Sequence, residues 1–541
     1  MRKSFRFMLP FVLSEKKYLF MGFSATFLAA YFTWLGPQLL ARLIDGGFVK
    51  LLLLAFAGSE FLKLLLNYLN QKVFATFGQN VIERIRESML KHLMKVPVSY
   101  FDRSTSGQIM TRFVNDANSL SDFFQSGMIS IVGNAFSIFA IFFGIHSLSS
   151  KLAIVMLTIF IPFFYTCSVF SKRLRLAYES SRNELSHFNS MLADFLHGMK
   201  TIRSLSLSGS KNRALNRQIQ KYSDSQVQMV HEFALFNPVL SLGVGVLFFV
   251  LILQGIPMVD RGELKTGEWI AILSYIFMLS QPLLEITDRW NFFLAGLTGI
   301  DRIRSVFDEP IEKTGKNEPS EMEEIVLDGV SFHYPGATKD VLKDVNLKIV
   351  PGDRIGIHGE SGMGKTTLLQ MLYGFYLPTR GELRWNGVRY HSYSIESIRR
   401  YFGVVEQFPF LFSGTIHENI TLFGKNENDF HRLKEQFADY PLILSVLNRA
   451  EEEVRERGAN LSMGEKQMIS FLRAYLKNPQ IWILDEATAF FDQQAEDEFM
   501  RALDSLSPKN IIIQIAHRKE ALTRMKRLIK VESQGLQQLS T

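Results

Sequence analysis

The sequence predicts an α-helical membrane domain followed by an α/β phosphate-binding domain, and three observations predict it. The first 300 residues contain uncharged stretches long enough to cross the roughly 30 Å hydrocarbon core of a bilayer. A glycine-rich loop then lies between an apolar strand and an apolar helix, and a later apolar strand ends in two carboxylates. The chain is therefore expected to divide into a membrane domain at 1–305, a linker at 306–322 and the second domain at 323–541.

Six membrane spans are expected in the first domain. Four contain no Asp, Glu, Lys or Arg: Tyr18 to Ala41, Gln125 to Ser150, Leu152 to Ser171 and Phe233 to Val259. Two weaker spans complete the set, Leu51 to Asn70 and Trp269 to Leu284. The first of these is interrupted by Glu60 and Lys63, which are spaced i,i+3 and could pair with each other.

The connections between the spans predict the topology. Short connections near Asp45, Ser147 and Gly262 alternate with two polar helical segments, 71–124 and 172–232. Both segments are rich in Lys and Arg, as is the N-terminus, so both ends and both segments are expected on the cytoplasmic side. This topology accounts for the net charge of +7, and no nucleic acid is needed to explain it.

The glycine-rich loop is a P-loop in its required setting between a strand and a helix. Its glycines let backbone N–H groups and the helix N-terminus point at phosphate oxygens. Lys365 adds a positive charge at the β- and γ-phosphates, and the Thr366 hydroxyl can bind Mg²⁺. The predicted phosphate-binding residues are Gly359, Glu360, Ser361, Gly362, Gly364, Lys365, Thr366 and Thr367.

Two further motifs complete the predicted chemistry. The strand from Ile481 to Asp485 is expected beside the P-loop strand in a parallel sheet, with its acids at the phosphate end. Asp485 would hold Mg²⁺ through water, and Glu486 would orient and deprotonate the attacking water. Between the two motifs, Ser462 and Gly464 open an apolar helix, which gives a second phosphate-binding N-terminus.

These motifs occur in the order of an ATP-binding cassette, and from about residue 323 the chain resembles the nucleotide-binding domain of ABC transporters. The resemblance rests on the P-loop, the Ser-x-Gly-Glu helix start, the Leu-Asp-Glu strand end and Ala516-His517-Arg518. It implies ATP and Mg²⁺ as ligands. It also implies site residues: Tyr334 stacking on adenine, Gln407 at the γ-phosphate and the metal, Glu465 beside Ser462 and Gly464, and His517 at the γ-phosphate.

Two cytoplasmic segments carry a second resemblance. Pro97 to Arg103 is similar to the first intracellular segment of exporter-type membrane domains, where a short transverse helix docks on the nucleotide-binding domain. Asp194 to Leu205 is similar to the second such segment. Six spans followed by one cassette is the order of a half-transporter with the exporter fold. This implies ATP-driven export of a drug, lipid or peptide across the cytoplasmic membrane of a prokaryote by alternating access. Membrane lipids are then expected to surround the helical domain.

A half-transporter needs a second half, because each ATP lies between the P-loop of one cassette and the signature of the other. The family signature is usually Leu-Ser-Gly-Gly-Gln, but Met463 and Glu465 stand at the first glycine and the glutamine. An altered signature beside an intact hydrolytic motif resembles one subunit of bacterial heterodimeric multidrug exporters, so a heterodimer is favoured. A homodimeric lipid or peptide exporter and a nucleotide-gated channel or regulatory subunit remain open.

Two other classes are weighed against this interpretation. A soluble cassette protein of DNA repair or translation would lack the six spans. An importer normally keeps its cassette on a separate chain. The six expected spans and the fused cassette therefore favour the exporter architecture.

Overall fold

The computed structural model describes residues 2–46, 49–312, 314–360, 362–422, 427–516, 522, 524–532 and 535–539. The chain forms two compact units. The first comprises Met1–Met94 and Ser106–Glu309, and the second comprises Lys95–Thr105 and Pro310–Thr541. A short segment from the N-terminal half is therefore part of the C-terminal unit.

The N-terminal 309 residues are helical almost throughout. The helices are α1 (Arg2–Ser14), α2 (Lys16–Asp45), α3 (Lys50–Leu93), α4 (Val98–Arg103), α5 (Ser106–Thr111), α6 (Ala117–Asp122), α7 (Ile129–Leu148), α8 (Ser150–His197), α9 (Met199–Ser204), α10 (Ser208–Asp260) and α11 (Thr266–Phe307). Two π-helical turns, Arg112–Asp116 and Phe123–Met128, join α5, α6 and α7. Helix α4 is the one that groups with the second unit.

Five helical stretches of the described chain are long and apolar enough to cross a membrane. They are Lys16–Asp45, Lys50–Leu93, Ser106–Leu148, Ser150–His197 and Gly209–Asp260. The expected sixth span lies within α11, which is continuous through the apolar stretch and the more polar residues after it. The 53 residues of α10 extend about 80 Å, far more than a bilayer core, so its polar half continues beyond the apolar half.

Two contacts of polar groups lie within the spans of the first unit, one inside a helix and one between helices. The Lys63 ammonium lies 2.7 Å from the Glu60 carboxylate, as their spacing predicted. Tyr275 donates its hydroxyl to the Trp34 carbonyl. The Tyr275 ring also lies over Gly144, where an added Cβ would come within 2.4 Å of it, so a small residue permits this close helix contact.

The second unit contains two main sheets and seven helices within its described part after residue 310. The strands are β1 (Ile325–Phe332), β2 (Leu342–Ile349), β3 (Arg354–His358), β4 (Arg380–Trp385), β5 (Val388–Arg389), β6 (Phe402–Val405), β7 (Gly414–Thr415), β8 (Glu453–Val454), β9 (Ile481–Asp485), β10 (Ile511–Ile515), β11 (Arg527–Glu532) and β12 (Gly535–Leu539). The helices are α12 (Lys365–Leu372), α13 (Ile395–Arg400), α14 (Ile416–Thr421), α15 (Glu427–Gln436), α16 (Pro441–Asn448), α17 (Met463–Leu476) and α18 (Gln493–Asp504).

The larger sheet has the order β12-β11-β3-β10-β9-β6, and β11, β3, β10, β9 and β6 run parallel. A smaller antiparallel sheet has the order β2-β1-β4-β5. One expectation was wrong: β9 does not lie beside the P-loop strand β3, because β10 lies between them. Parallel strands still end at one edge, so β3 and β9 deliver their following loops to the same side. Strand β12 pairs with β11 and was not expected from the sequence.

The parallel strands are apolar because both of their faces are covered. In β9 the residues from Ile481 to Leu484 are buried, and in β10 all five residues are buried. One cluster of core side chains lies with α12 and the antiparallel sheet, and a second lies with α17 and α18. This rigid sheet holds the loops that carry the candidate site.

Candidate nucleotide site

The P-loop joins β3 to α12 in a conformation that requires glycine. Gly362 and Gly364 have φ of +82° and +94°, in the left-handed region. A Cβ on Gly364 would lie 2.9 Å from Leu342 Cδ2, so a larger residue would not fit. The loop therefore forms a backbone cradle that ends at the N-terminus of an eight-residue helix. Ser361 lies outside the described residues.

Lys365 and Thr366 begin α12, where side chains can reach the cradle. Lys365 is only 7% exposed, and its Nζ donates to the carbonyls of Gly359 at 2.7 Å and Glu360 at 3.0 Å. Its charge is thus held against the loop backbone. Thr367, the next residue, is buried with its hydroxyl oxygen 2.8 Å from the Tyr334 hydroxyl oxygen.

Asp485 ends β9 and hydrogen-bonds to the Thr366 hydroxyl. Burial, followed by the nearby Glu486 carboxylate, raises the pKa of Asp485 to about 6. Two neighbouring carboxyl groups thus lie at this edge, one of them bonded to the exposed Thr366 hydroxyl, where a cation would be favourable. Glu486 has φ of +49°, a conformation uncommon for a residue with a Cβ and frequent at functional sites.

Gln407 follows β6 and is brought to Glu486. Its amide nitrogen donates to the Glu486 carboxylate. Gln467, which is fully buried in α17, donates to the carbonyls of Gln407 at 3.3 Å and Glu486 at 3.4 Å. The sequence did not predict a role for Gln467, because one polar residue in an apolar helix gives no indication of its partners.

Tyr334 follows β1 and packs among aromatic rings. Its ring meets Phe332 and Tyr376 edge to face, with centroids 5.2 and 5.3 Å apart. Tyr376 is nearly buried and donates its hydroxyl to the Asp102 carboxylate of α4. Tyr334, which is expected to stack on adenine, is thus in contact with Tyr376, the residue that binds α4.

Ser462 and Glu465 lie at the start of α17 together with Gly464. The Ser462 side chain caps the helix, and the Glu465 carboxylate accepts from the Ser462 N–H. Among the described residues, the side-chain hydrogen bonds of this pair run to each other and to Arg449, and none reaches the P-loop. The structure therefore brings together P-loop, Asp485, Glu486 and Gln407, and leaves the signature residues as a separate cluster. His517 lies outside the described residues.

The described residues fit a nucleotide with Mg²⁺. No group of three or more His, Cys, Asp or Glu that could hold a metal occurs in the described part of the chain. Thr366, Asp485 and Gln407 offer oxygen atoms, which Mg²⁺ prefers, and Mg²⁺ usually takes its other ligands from phosphates and water. The glycine cradle supplies the adjoining phosphate site.

Comparison with known proteins places both parts of the chain in one group. The family described as "ABC transporter transmembrane region" matches residues 19–283, and the family described as "ABC transporter" matches residues 342–489. One relative is the "Uncharacterized ABC transporter ATP-binding protein YknV" of Bacillus subtilis, 28% identical over 92% of this chain and 84% of its own length. Another is the "ATP-dependent lipid A-core flippase" of Syntrophus aciditrophicus, 27% identical over 86% of this chain and 78% of its own length.

The fold also has a close counterpart among solved structures. The structure described as "a bacterial Atm1-family ABC exporter with ATP bound" matches with a TM-score of 0.77, covering all of this chain and 95% of that one. The two sequences are 22% identical, so this similarity establishes the fold. The expected combination of an exporter-type helical domain and an ATPase cassette is confirmed.

Proposed function

The chain belongs to the ABC transporter family, and from that premise we propose that it is one half of a dimeric exporter that moves an amphipathic substrate out of the bacterial cytoplasm. Members of the family are ATP hydrolases coupled to transport, and exporters function as dimers of half-transporters. The finer points proposed here are the roles of individual residues, the orientation of the chain and its pairing with a different second half.

One observation supports the proposed chemistry: the Gln407 amide donates a hydrogen bond to the Glu486 carboxylate. Glu486 is the residue that follows Asp485, and both lie at the sheet edge that also carries the P-loop. Glu486 acts as the general base that orients and deprotonates water for attack on the γ-phosphate. Gln407 holds the Glu486 carboxylate in place. Lys365 and the P-loop N–H groups stabilise the phosphate charge.

Mg²⁺ would be held by Thr366, Asp485 and Gln407. When bound, it neutralises charge on the β- and γ-phosphates. The remaining proposed contacts are Tyr334 on adenine, Ser361 in the P-loop, His517 at the γ-phosphate, and Ser462, Gly464 and Glu465 on the ATP of the other half. These assignments follow the resemblance, residue by residue.

Coupling to the membrane helices is proposed to pass through α4. Tyr376 donates to Asp102, and the Lys95 carbonyl accepts from the Glu312 N–H at 2.7 Å, so the segment around α4 is bound to the cassette at one end and to the linker before it at the other. A cassette that moves on closing around ATP would carry α4 with it. The positive-inside tendency supports a cytoplasmic location for this segment, the cassette and both termini.

The test is Glu486→Gln in the purified dimer reconstituted into liposomes. Turnover is expected to fall by about 10²-fold or more, since a positioned base contributes on that scale, while ATP binding persists. Glu496→Gln, on α18, is the matched control for the same chemical change in the same cassette. Near-full ATPase activity of Glu486→Gln would contradict the proposed base.

Export itself is tested by substrate flux. Wild-type liposomes with outward-facing cassettes are expected to accumulate a fluorescent amphipathic lipid or drug only with hydrolysable ATP, and Glu486→Gln liposomes are expected not to. Flux that continues in Glu486→Gln with bound ATP would instead indicate the nucleotide-gated channel. A stable, fully active dimer of this chain expressed alone would contradict the heterodimer and leave the exporter assignment unchanged.

A further inference from the structure

The start of α17 carries a negative charge where the proposed function requires a phosphate to bind. Glu465 is the third residue of α17, and its carboxylate accepts from the Ser462 N–H and from the Ser462 hydroxyl, both at 2.8 Å. The Glu465 N–H in turn donates to the Ser462 hydroxyl oxygen at 3.2 Å. This capping box stabilises the helix. It also places a carboxylate on the Ser462 N–H and hydroxyl, beside the helix N-terminus that an anion would use.

Arg449, which follows α16, lies against this carboxylate. Its Nη1 donates to one oxygen of Glu465. Its Nε and Nη2 donate to the two oxygens of Glu452 at 2.7 and 2.9 Å. A planar guanidinium can bind two carboxylates in this way, whereas an ammonium cannot reproduce the fork. Arg449 thereby holds Glu465 from outside the signature helix.

We propose that Arg449 is a positioning residue for the proposed signature: it neutralises Glu465 and fixes its carboxylate, so that the start of α17 can bind a phosphate of the ATP held by the other half. This inference rests on the proposed function, in which the signature faces that ATP. Without the guanidinium, the carboxylate would repel the phosphate and would be free to change its position.

No other cation replaces Arg449 in the described part of the chain. The nearest basic side chain in sequence is Lys466, whose Nζ donates to the Arg457 carbonyl at 3.0 Å. Burial acts to raise the pKa of Glu465, but contacts with Ser462 and Arg449 outweigh it and lower the pKa. An amide at this position, as in the usual family signature, would need no counter-charge. The requirement for Arg449 is therefore tied to the carboxylate, and this provides the test.

The test is a double-mutant cycle on the purified transporter in the Glu486→Gln background, where bound ATP is not consumed. The measurement is the concentration of radiolabelled ATP that gives half-maximal retention. In the protein that retains Glu465, Arg449→Met is expected to raise this concentration about 5- to 10-fold. This corresponds to a loss of about 1 to 1.4 kcal/mol in the free energy of binding. Both side chains are partly exposed, at 40% and 28%, so solvent screening limits the effect.

In the Glu465→Gln protein, the same Arg449→Met change is expected to alter the concentration by less than about twofold, since no charge is left to neutralise. Glu452→Gln, which removes the other partner of Arg449, is the matched control, also with less than about twofold effect. Arg449→Lys retains the charge without the fork and is expected to fall between wild type and Arg449→Met.

An equal loss from Arg449→Met with and without the Glu465 carboxylate would overturn the proposal, because Arg449 would then act only in holding α16 or Glu452. No loss in either protein would overturn it as well. Failure of the proposed function has a different result: a Glu486→Gln transporter that still hydrolyses ATP at the wild-type rate. The two failures are therefore distinguishable in one set of proteins.

Discussion

Replacing Asp485 with Asn is expected to stabilise the protein in the absence of nucleotide and metal, although it removes a proposed metal ligand. Burial, and then the Glu486 carboxylate, raise the pKa of Asp485 from 3.8 to about 6. Between these two values the folded protein binds more protons than the unfolded chain. The stability therefore falls as pH rises through this window and stays reduced above about pH 6.

The size of this effect follows from the shift in pKa. A change from 3.8 to about 6 corresponds to about 3 kcal/mol of the free energy of unfolding at about pH 8. Solvent screening of this partly exposed group reduces the value to about 1 to 2 kcal/mol. The amide cannot ionise but can still accept from Thr366. The advantage of Asp485→Asn is thus expected to grow by about 1 kcal/mol between about pH 5 and pH 8.

The assay is thermal unfolding in EDTA without nucleotide, followed by tryptophan fluorescence. Trp482 lies in β9 with Asp485 and is buried, as is Trp385 in the same unit, so both contribute to the signal of the cassette. Asp439→Asn is the control, because Asp439 is exposed. A melting difference that is the same at both pH values, or a less stable Asp485→Asn protein at the higher pH, would refute the reasoning.

Three further predictions concern contacts of the cassette. Tyr376→Phe keeps the ring but loses the bond to Asp102, so amide hydrogen exchange in α4 is expected to rise about 5- to 30-fold, equivalent to about 1 to 2 kcal/mol. Unchanged exchange would contradict this link. Tyr334→Phe is expected to weaken ATP binding by about 1 kcal/mol through loss of the Thr367 contact, and Tyr334→Ala by a further 1 to 3 kcal/mol or so through loss of stacking. Equal losses in isothermal titration would argue against stacking. Met463→Gly is expected to change ATPase turnover little in a heterodimer and to raise it in a homodimer, whereas Lys365→Ala nearly abolishes it in both. A large loss from Met463→Gly would contradict either form.

The parts of the fold that depend on neighbouring residues in sequence could be predicted. An uncharged stretch such as Phe233 to Val259 is informative by itself, since its length alone allows it to span a bilayer. The P-loop was also identified, because its glycines, Lys365 and Thr366 all lie within the eight residues 359–366. The ion pair of Glu60 and Lys63 follows from their positions on one helix face.

The parts that depend on distant residues could not be predicted. The position of β10 between β3 and β9 is set by pairing across about 150 residues, and nothing in β9 itself indicates its neighbour. Gln467 and Glu465 also have partners that are distant in sequence. These partners lie in the loops after β6, β9 and α16, which only the folded sheet brings together. The contact between the Tyr334 and Thr367 hydroxyls also joins distant residues, and the sequence did not predict it.

Met463 stands where the family signature usually has its first glycine, and the backbone at this position indicates what the difference can change. Met463 is the first residue of α17 and is not among the residues with positive φ, so its backbone is one that any residue adopts without strain. The next residue is still Gly464, and the Ser462 cap is intact. The backbone N–H groups of the helix start, which are proposed to bind a phosphate, are therefore retained. Any effect of Met463 on the proposed ATP site would therefore come from its side chain. In a homodimer, both bound ATP molecules would lie beside a Met463 side chain. In a heterodimer, only the ATP bound by the P-loop of the other half would lie beside it.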